Sequence, residues 1–191
     1  MFEEQFKKYL HKNISISNED FELCLKFFRQ KEVSKGTLLL DYNLKSNNQY
    51  FILTGITCSF ILDNFGNEKT IQISTKNSWT GDLNSYTYGK VAEKKILCIS
   101  DCKVLSITKE EWEKLLIDIP VFERLFRILF QKAYVEQTKR VEILQTMSAK
   151  KRYILFCEKF PELITKVELR FIASFLNIKP ETLSRIRKSL N

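Results

Sequence analysis

The sequence predicts an α+β protein: a mainly antiparallel β domain with helices at its margins, then one long helix, then three short ones. Three observations predict it. Between Glu32 and Ile107 the chain runs through β-branched and aromatic stretches broken by glycine and asparagine, which is strand-and-turn punctuation. From Pro120 to Met147 the apolar spacing becomes helical and stays so. Beyond Met147 basic residues gather, and Pro161 and Pro180 divide the remaining chain into short segments.

In chain order, the first thirty residues read as helical, with Ser17 or Asn18 as an N-cap in "SNEDFELCLKFF" and acidic residues in the first turn. Strands are expected from Glu32. "QYFILTGITCSFILDNFGNEKTIQIST" is interrupted at Gly55 and again from Asn64 to Asn67, as hairpins require. "KILCISDCKVLSI" repeats the pattern around a turn near Ser100 and Asp101. Pro120 suits the first helical position, where its missing N–H would have no partner anyway. Phe122, Phe126, Leu129 and Ala133 follow at helical spacing, and Ile143 and Met147 resume the stripe. Such a stripe needs a covering surface, so this helix is expected to be both a spine and a dimer interface. The expected segments are 1–119, 120–147 and 148–191.

Composition removes several function classes. A chain of 191 residues with 44% hydrophobic content and 15 Phe can fill a core without disulfides. Its five cysteines are an odd number at scattered spacings and read as buried small hydrophobes. No apolar run reaches the roughly 18 residues of a membrane span, and the charged N-terminus does not resemble a signal peptide, so a cytoplasmic protein without a membrane partner is expected. With His11 the single imidazole, and no nucleophile–base pair or phosphate loop, neither an enzyme nor a metal site is expected. The net charge is +8, and the segment 148–191, with ten basic and four acidic residues, holds +6 of it. A basic excess gathered in one quarter of the chain points to a polyanion.

The last two helices suggest how that polyanion is met. "TKVELRFIASFL" offers Thr165 and Glu168 as a capping box, and "KPETLSRIRKSL" places Pro180 at the first helical position with Glu181 near the positive end of the helix dipole. The linking "NIK" is a short corner, and Asn177 tolerates a left-handed backbone. At about 100° per residue, Leu183, Ile186 and Leu190 share one side of the last helix while Glu181, Ser184, Arg185 and Lys188 share the other. Leu169, Ile172, Ala173 and Leu176 form the inward stripe of the preceding helix, with Ala173 small enough for a close crossing. These features together predict a helix-turn-helix.

"VELRFIASFLNIKPETLSRIRK" resembles the helix-turn-helix of the cyclic-AMP receptor protein and fumarate-nitrate regulator (CRP/FNR) family, especially the branch whose recognition helix reads "PETLSRIRK". The resemblance extends over nearly the whole chain. The strands around Gly55 and Gly66 resemble the family's jelly-roll-like β-roll, and Pro120 to Met147 its dimerisation helix. It implies a cyclic-nucleotide-binding-like sensor domain over 1–119, a dimerisation helix over 120–147 and a DNA-binding domain over 148–191. The implied molecule is a bacterial homodimeric transcription regulator that partners double-stranded DNA and RNA polymerase. Carried over by residue, Glu181 and Arg185 match the family's base-reading acid and arginine and Thr182 matches a backbone contact. Lys179, Ser184, Arg187 and Lys188 complete the expected DNA-binding set. Pro180 departs from the arginine many members have there. The sequence ends where the family adds a β-hairpin wing, so phosphate contacts from a wing are not expected.

The effector pocket departs most. Nucleotide-binding members resemble one another in a Gly-Glu pair that holds the ribose and a later Arg-Ser/Thr-Ala that pairs with the cyclic phosphate. Gly81 and Asp82 stand at the first motif; Ala92, Glu93 and Lys94 fall on the second. An alanine replaces the arginine, and a carboxylate at Glu93 would repel a phosphate. Lys94 or Lys95 could offer a point charge without the bidentate fork. Cyclic AMP is therefore not expected as a cofactor, and the effector is expected to be altered or lost. Two alternatives stand beside this reading: nucleotide binding through Lys94 or Lys95, and thiol sensing through Cys98 and Cys102, which flank the expected turn and otherwise read as strand core.

Overall fold

The computed structural model describes residues 2–190. Helices α1 (Phe2–His11) and α2 (Asn18–Leu25) precede strands β1 (Arg29–Val33), β2 (Leu38–Leu40), β3 (Asn48–Thr54), β4 (Thr57–Leu62), β5 (Glu68–Ser74) and β6 (Trp79–Gly81). Helix α3 (Leu83–Tyr88) leads to β7 (Lys94–Cys98) and β8 (Cys102–Thr108), then α4 (Lys109–Asp118) and the long α5 (Val121–Thr146). The last helices are α6 (Ala149–Lys159), α7 (Leu163–Lys166), α8 (Leu169–Phe175) and α9 (Pro180–Lys188). The strands form two four-stranded sheets, in the orders β1-β8-β3-β6 and β2-β7-β4-β5. In the first sheet β3 is central and antiparallel to both neighbours, so Tyr50 faces Ser106 on one side and Thr80 on the other. The fold is α+β, an antiparallel β-roll with flanking helices and a helical C-terminal part.

Local chemistry explains where the elements begin and turn. The Ser17 hydroxyl accepts from the Asp20 N–H at 3.0 Å and opens α2. Helix α4 begins with a full capping box, in which Thr108 Oγ1 accepts from the Glu111 N–H and Glu111 Oε2 accepts from the Thr108 N–H, each at 3.1 Å. Between β3 and β4, Gly55 has φ of +94°, and a Cβ there would run into the Asp101 carbonyl and the Cys102 sulfur. Only glycine fits that turn. The β4–β5 turn is tied by Asp63, whose carboxylate accepts from the Phe65 and Asn67 N–H groups, both at 2.9 Å.

Four details differ from expectation. First, β1 begins at Arg29, three residues before Glu32, because Arg29 to Val33 pair with Ser106 to Cys102. Second, β7 and β8 are not a hairpin. The turn near Ser100 and Asp101 sends them into different sheets, held by Ser100 Oγ accepting from the Ile56 N–H at 2.9 Å and Asp101 Oδ1 accepting from the Lys35 N–H at 2.8 Å. Third, the segment expected as one helix opened by a Thr165–Glu168 capping box is two helices, so four rather than three follow α5: Thr165 lies inside α7, a single turn, and Glu168 occupies the N-cap of α8 without a side-chain cap bond. Its carboxylate turns to Arg170 at 2.7 Å instead. Fourth, Phe122 is fully buried in the β-domain core. It does not face outward as a dimer contact.

The chain gathers into two compact units, Met1–Ser59 with Ile73–Gln131, and Phe60–Gln72 with Lys132–Asn191. The first unit is filled by an aromatic ladder. Phe6 and Phe51 have ring centroids 5.1 Å apart, Phe51 and Trp79 5.3 Å, and Trp79 and Trp112 5.8 Å. Each such side chain, when fully buried, contributes about 1.5–3 kcal/mol. Phe122 and Leu125 bring the start of α5 into this core, and Phe126 and Leu129 pack on its edge. In the second unit Phe156, Ile172, Ala173 and Leu183 are buried, and the Phe60 and Phe171 rings approach to 5.2 Å. The hairpin contributes to this unit through the Thr70 N–H, which donates to Ser174 Oγ at 2.8 Å. Among the described residues no helix is long and apolar enough to cross a membrane.

Candidate nucleic-acid interface and sensor pocket

The helix pair α8 and α9 is built around a corner of four residues, Leu176 to Lys179. Helix α8 ends as the Asn177 N–H donates to the Ser174 carbonyl at 3.0 Å and the Ile178 N–H reaches back to the Ala173 carbonyl at 2.9 Å. Asn177 takes a left-handed φ of 53°, as its side chain permits. Pro180 then starts α9, and the Leu183 N–H donates to the Lys179 carbonyl at 3.0 Å to close its first turn. Ala173 and Leu183 are completely buried where the helices meet.

The outer face of α9 carries the expected set. Lys179, Glu181, Arg185 and Lys188 are exposed, while Thr182, Ser184 and Arg187 are half-buried. Arg185 reaches only Thr182 Oγ1, at 3.5 Å, the outer limit of a hydrogen bond, and it forms no ion pair with Glu181. Its guanidinium is thus left with most of its donors facing solvent. Arg187 differs: its charge is felt by the buried Tyr153, whose pKa burial raises and Arg187 partly offsets. Not all of the basic excess is available outside. Lys159 pairs with Glu136, Arg170 with Glu168, and Arg152 donates inward to the Leu176 carbonyl at 2.7 Å.

In the β-roll, the residues expected to form an effector pocket separate. Gly81 ends β6, and Asp82, 4% exposed, serves as the N-cap of α3, its Oδ1 accepting from the Asn84 N–H at 3.0 Å and the Ser85 N–H at 3.4 Å. The acid is occupied by its own helix. Lys94 Nζ donates to the Gly81 carbonyl at 3.1 Å. Burial lowers the Lys94 pKa from its ordinary value, and the Asp82 charge opposes that change. Ala92 is packed in a small apolar cluster with Leu40 and Ile96. Glu93 is exposed, so the repulsion expected from its carboxylate does not act inside the roll. Lys95 lies 5.8 Å from the Tyr42 ring centroid. Gly81, Asp82 and Lys94 therefore come together, and Ala92, Glu93 and Lys95 do not join them.

Three polar side chains of this region escaped the sequence reading. The hydroxyls of Thr57, Ser59 and Thr80 are buried without a hydrogen-bond partner among the described residues. Thr57 and Ser59 lie two apart on β4 and so share a face. The signal was the "TCS" of "GITCSFIL", polar residues alternating within an apolar strand.

Cys98 and Cys102 are both buried, at 0% and 2% exposure. The proximity of Cys102, with burial, holds the Cys98 thiol above its ordinary range, while the proximity of Cys98 lowers the Cys102 thiol to about 7. Cys102 Sγ also lies 3.2 Å from the Ser100 carbonyl. The pair sits in a core cluster with Tyr50, Ile52 and Val104. No group of three or more His, Cys, Asp or Glu that could hold a metal occurs among the described residues.

No family model matches the chain, and no curated protein matches it in sequence. Solved structures do. The c-di-GMP-responsive global regulator CLP of Xanthomonas campestris matches with a TM-score of 0.71 at 13% identity, over 91% of each chain. FixK2 of Bradyrhizobium japonicum matches with a TM-score of 0.70 at 17% identity, over 85% of this chain and 84% of its own. A putative transcriptional regulator of the CRP/FNR family from Eubacterium rectale matches with a TM-score of 0.70 at 16% identity, over 95% of this chain and 87% of its own. The chain therefore has the fold seen in these proteins, β-roll and helical C-terminal part together.

Proposed function

We propose that the chain is a dimeric, sequence-specific regulator of transcription that reads double-stranded DNA with α9. The observation that carries this reading is the outer face of α9. It presents Glu181, Arg185 and Lys188 on one exposed surface, without ion pairs among the described residues, at the end of a compact helix corner. A guanidinium with free donors suits the acceptor edge of guanine, and a carboxylate suits a cytosine amino group. That the similar structures include a CRP/FNR-family transcriptional regulator supports the same reading, as does the likeness of the recognition-helix sequence. RNA polymerase is the further partner such a regulator would engage.

Dimerisation is supported by α5. Every residue from 130 to 139 is exposed in the single chain, including Phe130, Tyr134 and Val135, which are 49%, 75% and 49% exposed. Exposed apolar side chains on a long helix call for a second helix, and the seam is assigned to Phe130, Ala133, Tyr134, Val135 and Val141, with Ile143 half-buried at its end. Phe126 and Leu129, spent on the β-domain edge, contribute only their outer sides.

The sensor reading is that the roll does not bind cyclic AMP in the family's manner. No arginine stands at the phosphate position, Asp82 is committed to capping α3, and Lys94 is committed to the Gly81 carbonyl. Binding-site selection from random duplexes tests the whole proposal. An imperfect palindrome with half-sites about 34–36 Å apart is expected, and enrichment of no sequence would overturn it.

A further inference from the structure

Two arginines, Arg152 inside the basic C-terminal quarter and Arg140 just before it, turn inward and meet at one place. The last carbonyl groups of any helix lack intrahelical donors, and they form the negative end of its dipole. At the end of α8 these groups are met by arginines from two other helices. Arg140, on α5, donates through Nη2 to the Phe175 carbonyl at 3.0 Å, and its guanidinium carbon lies 4.0 Å from the Phe175 ring centroid. Arg152, on α6, donates through Nη1 to the Leu176 carbonyl at 2.7 Å. Neither has a carboxylate partner among the described residues, and Arg152 Nε is buried without an acceptor. Burial lowers the Arg140 pKa from its ordinary value, though a guanidinium remains charged.

We propose that Arg140 and Arg152 are positioning residues: a two-arginine clamp on the C-terminal carbonyls of α8 that sets the aim of α9, with neither side chain touching DNA. Phe175 and Leu176 directly precede Asn177, whose left-handed backbone launches α9, so whatever fixes the last turn of α8 fixes the direction of the helix that follows. Arg140 makes this contact from α5, the helix whose exposed segment is assigned to the dimer seam. It therefore ties each seam helix to its own reading helix. The planar fork explains why arginine stands there, since one face stacks on Phe175 while an edge N–H reaches the carbonyl. The proposal rests on the reading of α9 as the DNA-reading helix.

Salt dependence separates positioning from phosphate contact. Binding of wild type, Arg140→Gln, Arg140→Lys and Arg152→Gln is measured on the selected site and on a random duplex, at several salt concentrations. Circular dichroism first establishes a temperature at which all are folded. Loss of aim should weaken Arg140→Gln roughly tenfold on the selected site while leaving random DNA and the salt slope unchanged. Arg140→Lys should fall similarly, because an ammonium cannot stack and fork. Phe175→Leu, which keeps apolar volume but removes the ring, should show the same selective loss. If Arg140 touched a phosphate, Arg140→Lys would retain affinity, random DNA would suffer equally, and the slope would drop by about one unit per contact. That pattern, or wild-type binding by both Arg140→Gln and Phe175→Leu, overturns the clamp. A wild type that selects no sequence removes the reading beneath it as well; one that selects a site which Arg140→Gln selects equally removes the clamp alone.

Discussion

Lys94 Nζ donates to the carbonyl oxygen of Gly81 at 3.1 Å, joining two positions that the sequence led us to expect in an effector pocket. Cyclic AMP should therefore bind in the millimolar range or not at all. Isothermal calorimetry giving a micromolar constant would refute this.

The same lysine makes a pH prediction. Burial depresses its pKa in the folded state below the ordinary lysine value, so between those two values the unfolded chain binds the extra proton. Stability linked to Lys94 is then full above the unfolded pKa and is lost as pH falls through the folded one. Relative to Lys94→Met, the wild type should gain thermal stability as pH rises from 7 toward 10. A constant difference between the two melting curves over that range would show that Lys94 is not desolvated.

The protein should sediment as a dimer at tens of micromolar. Ala133→Glu or Tyr134→Glu should give folded monomers, since both positions are exposed. Leu129→Glu should instead destabilise the β domain, because Leu129 packs on its core. Sedimentation with circular dichroism distinguishes the outcomes, and a dimeric Tyr134→Glu would move the seam elsewhere.

Arg185→Ala should cost about 1–3 kcal/mol per half-site and relax preference at one base pair. Lys188→Ala should weaken all sequences alike and reduce the salt slope by about one unit per contact. Selection of the wild-type motif at undiminished strength by Arg185→Ala would remove Arg185 from the reading set.

Native-state thiol labelling at neutral pH should find one accessible cysteine, Cys157, which alone is only partly buried. Cys24, whose pKa burial pushes up to about 12, and the Cys98–Cys102 pair should react slowly, the burial of Cys102 outweighing a thiol pKa lowered to about 7 beside Cys98. Rapid labelling at Cys102 would favour the thiol-sensing alternative.

Much of the fold could be read before the structure because single residues there have single solutions. Gly55 sits where no Cβ fits, Asn177 takes the left-handed corner, and Pro180 opens the last helix. The α5 stripe was legible as a stripe, but not what covers it. Periodicity shows that Phe122 needs burial, and both a β domain and a second chain would satisfy that need. Asp82 was ambiguous for a related reason, since an aspartate after Gly81 serves equally as a ligand-holding acid and as an N-cap. The inward turn of Arg140 and Arg152 had no sequence signal, because their acceptors are backbone carbonyls, which every residue carries.

The aromatic ladder has a practical consequence. The chain has 2 Trp, and both Trp79 and Trp112 lie in that ladder, 5.8 Å apart, with Phe126 of α5 edge-on to Trp112 at 3.7 Å. Intrinsic tryptophan emission is therefore a private window on the β domain and the root of α5. The helices that carry α9 hold no tryptophan. A DNA titration that leaves the emission untouched would report binding confined to the C-terminal unit, whereas a change in emission would be direct optical evidence that occupancy of α9 is felt at the base of the long helix.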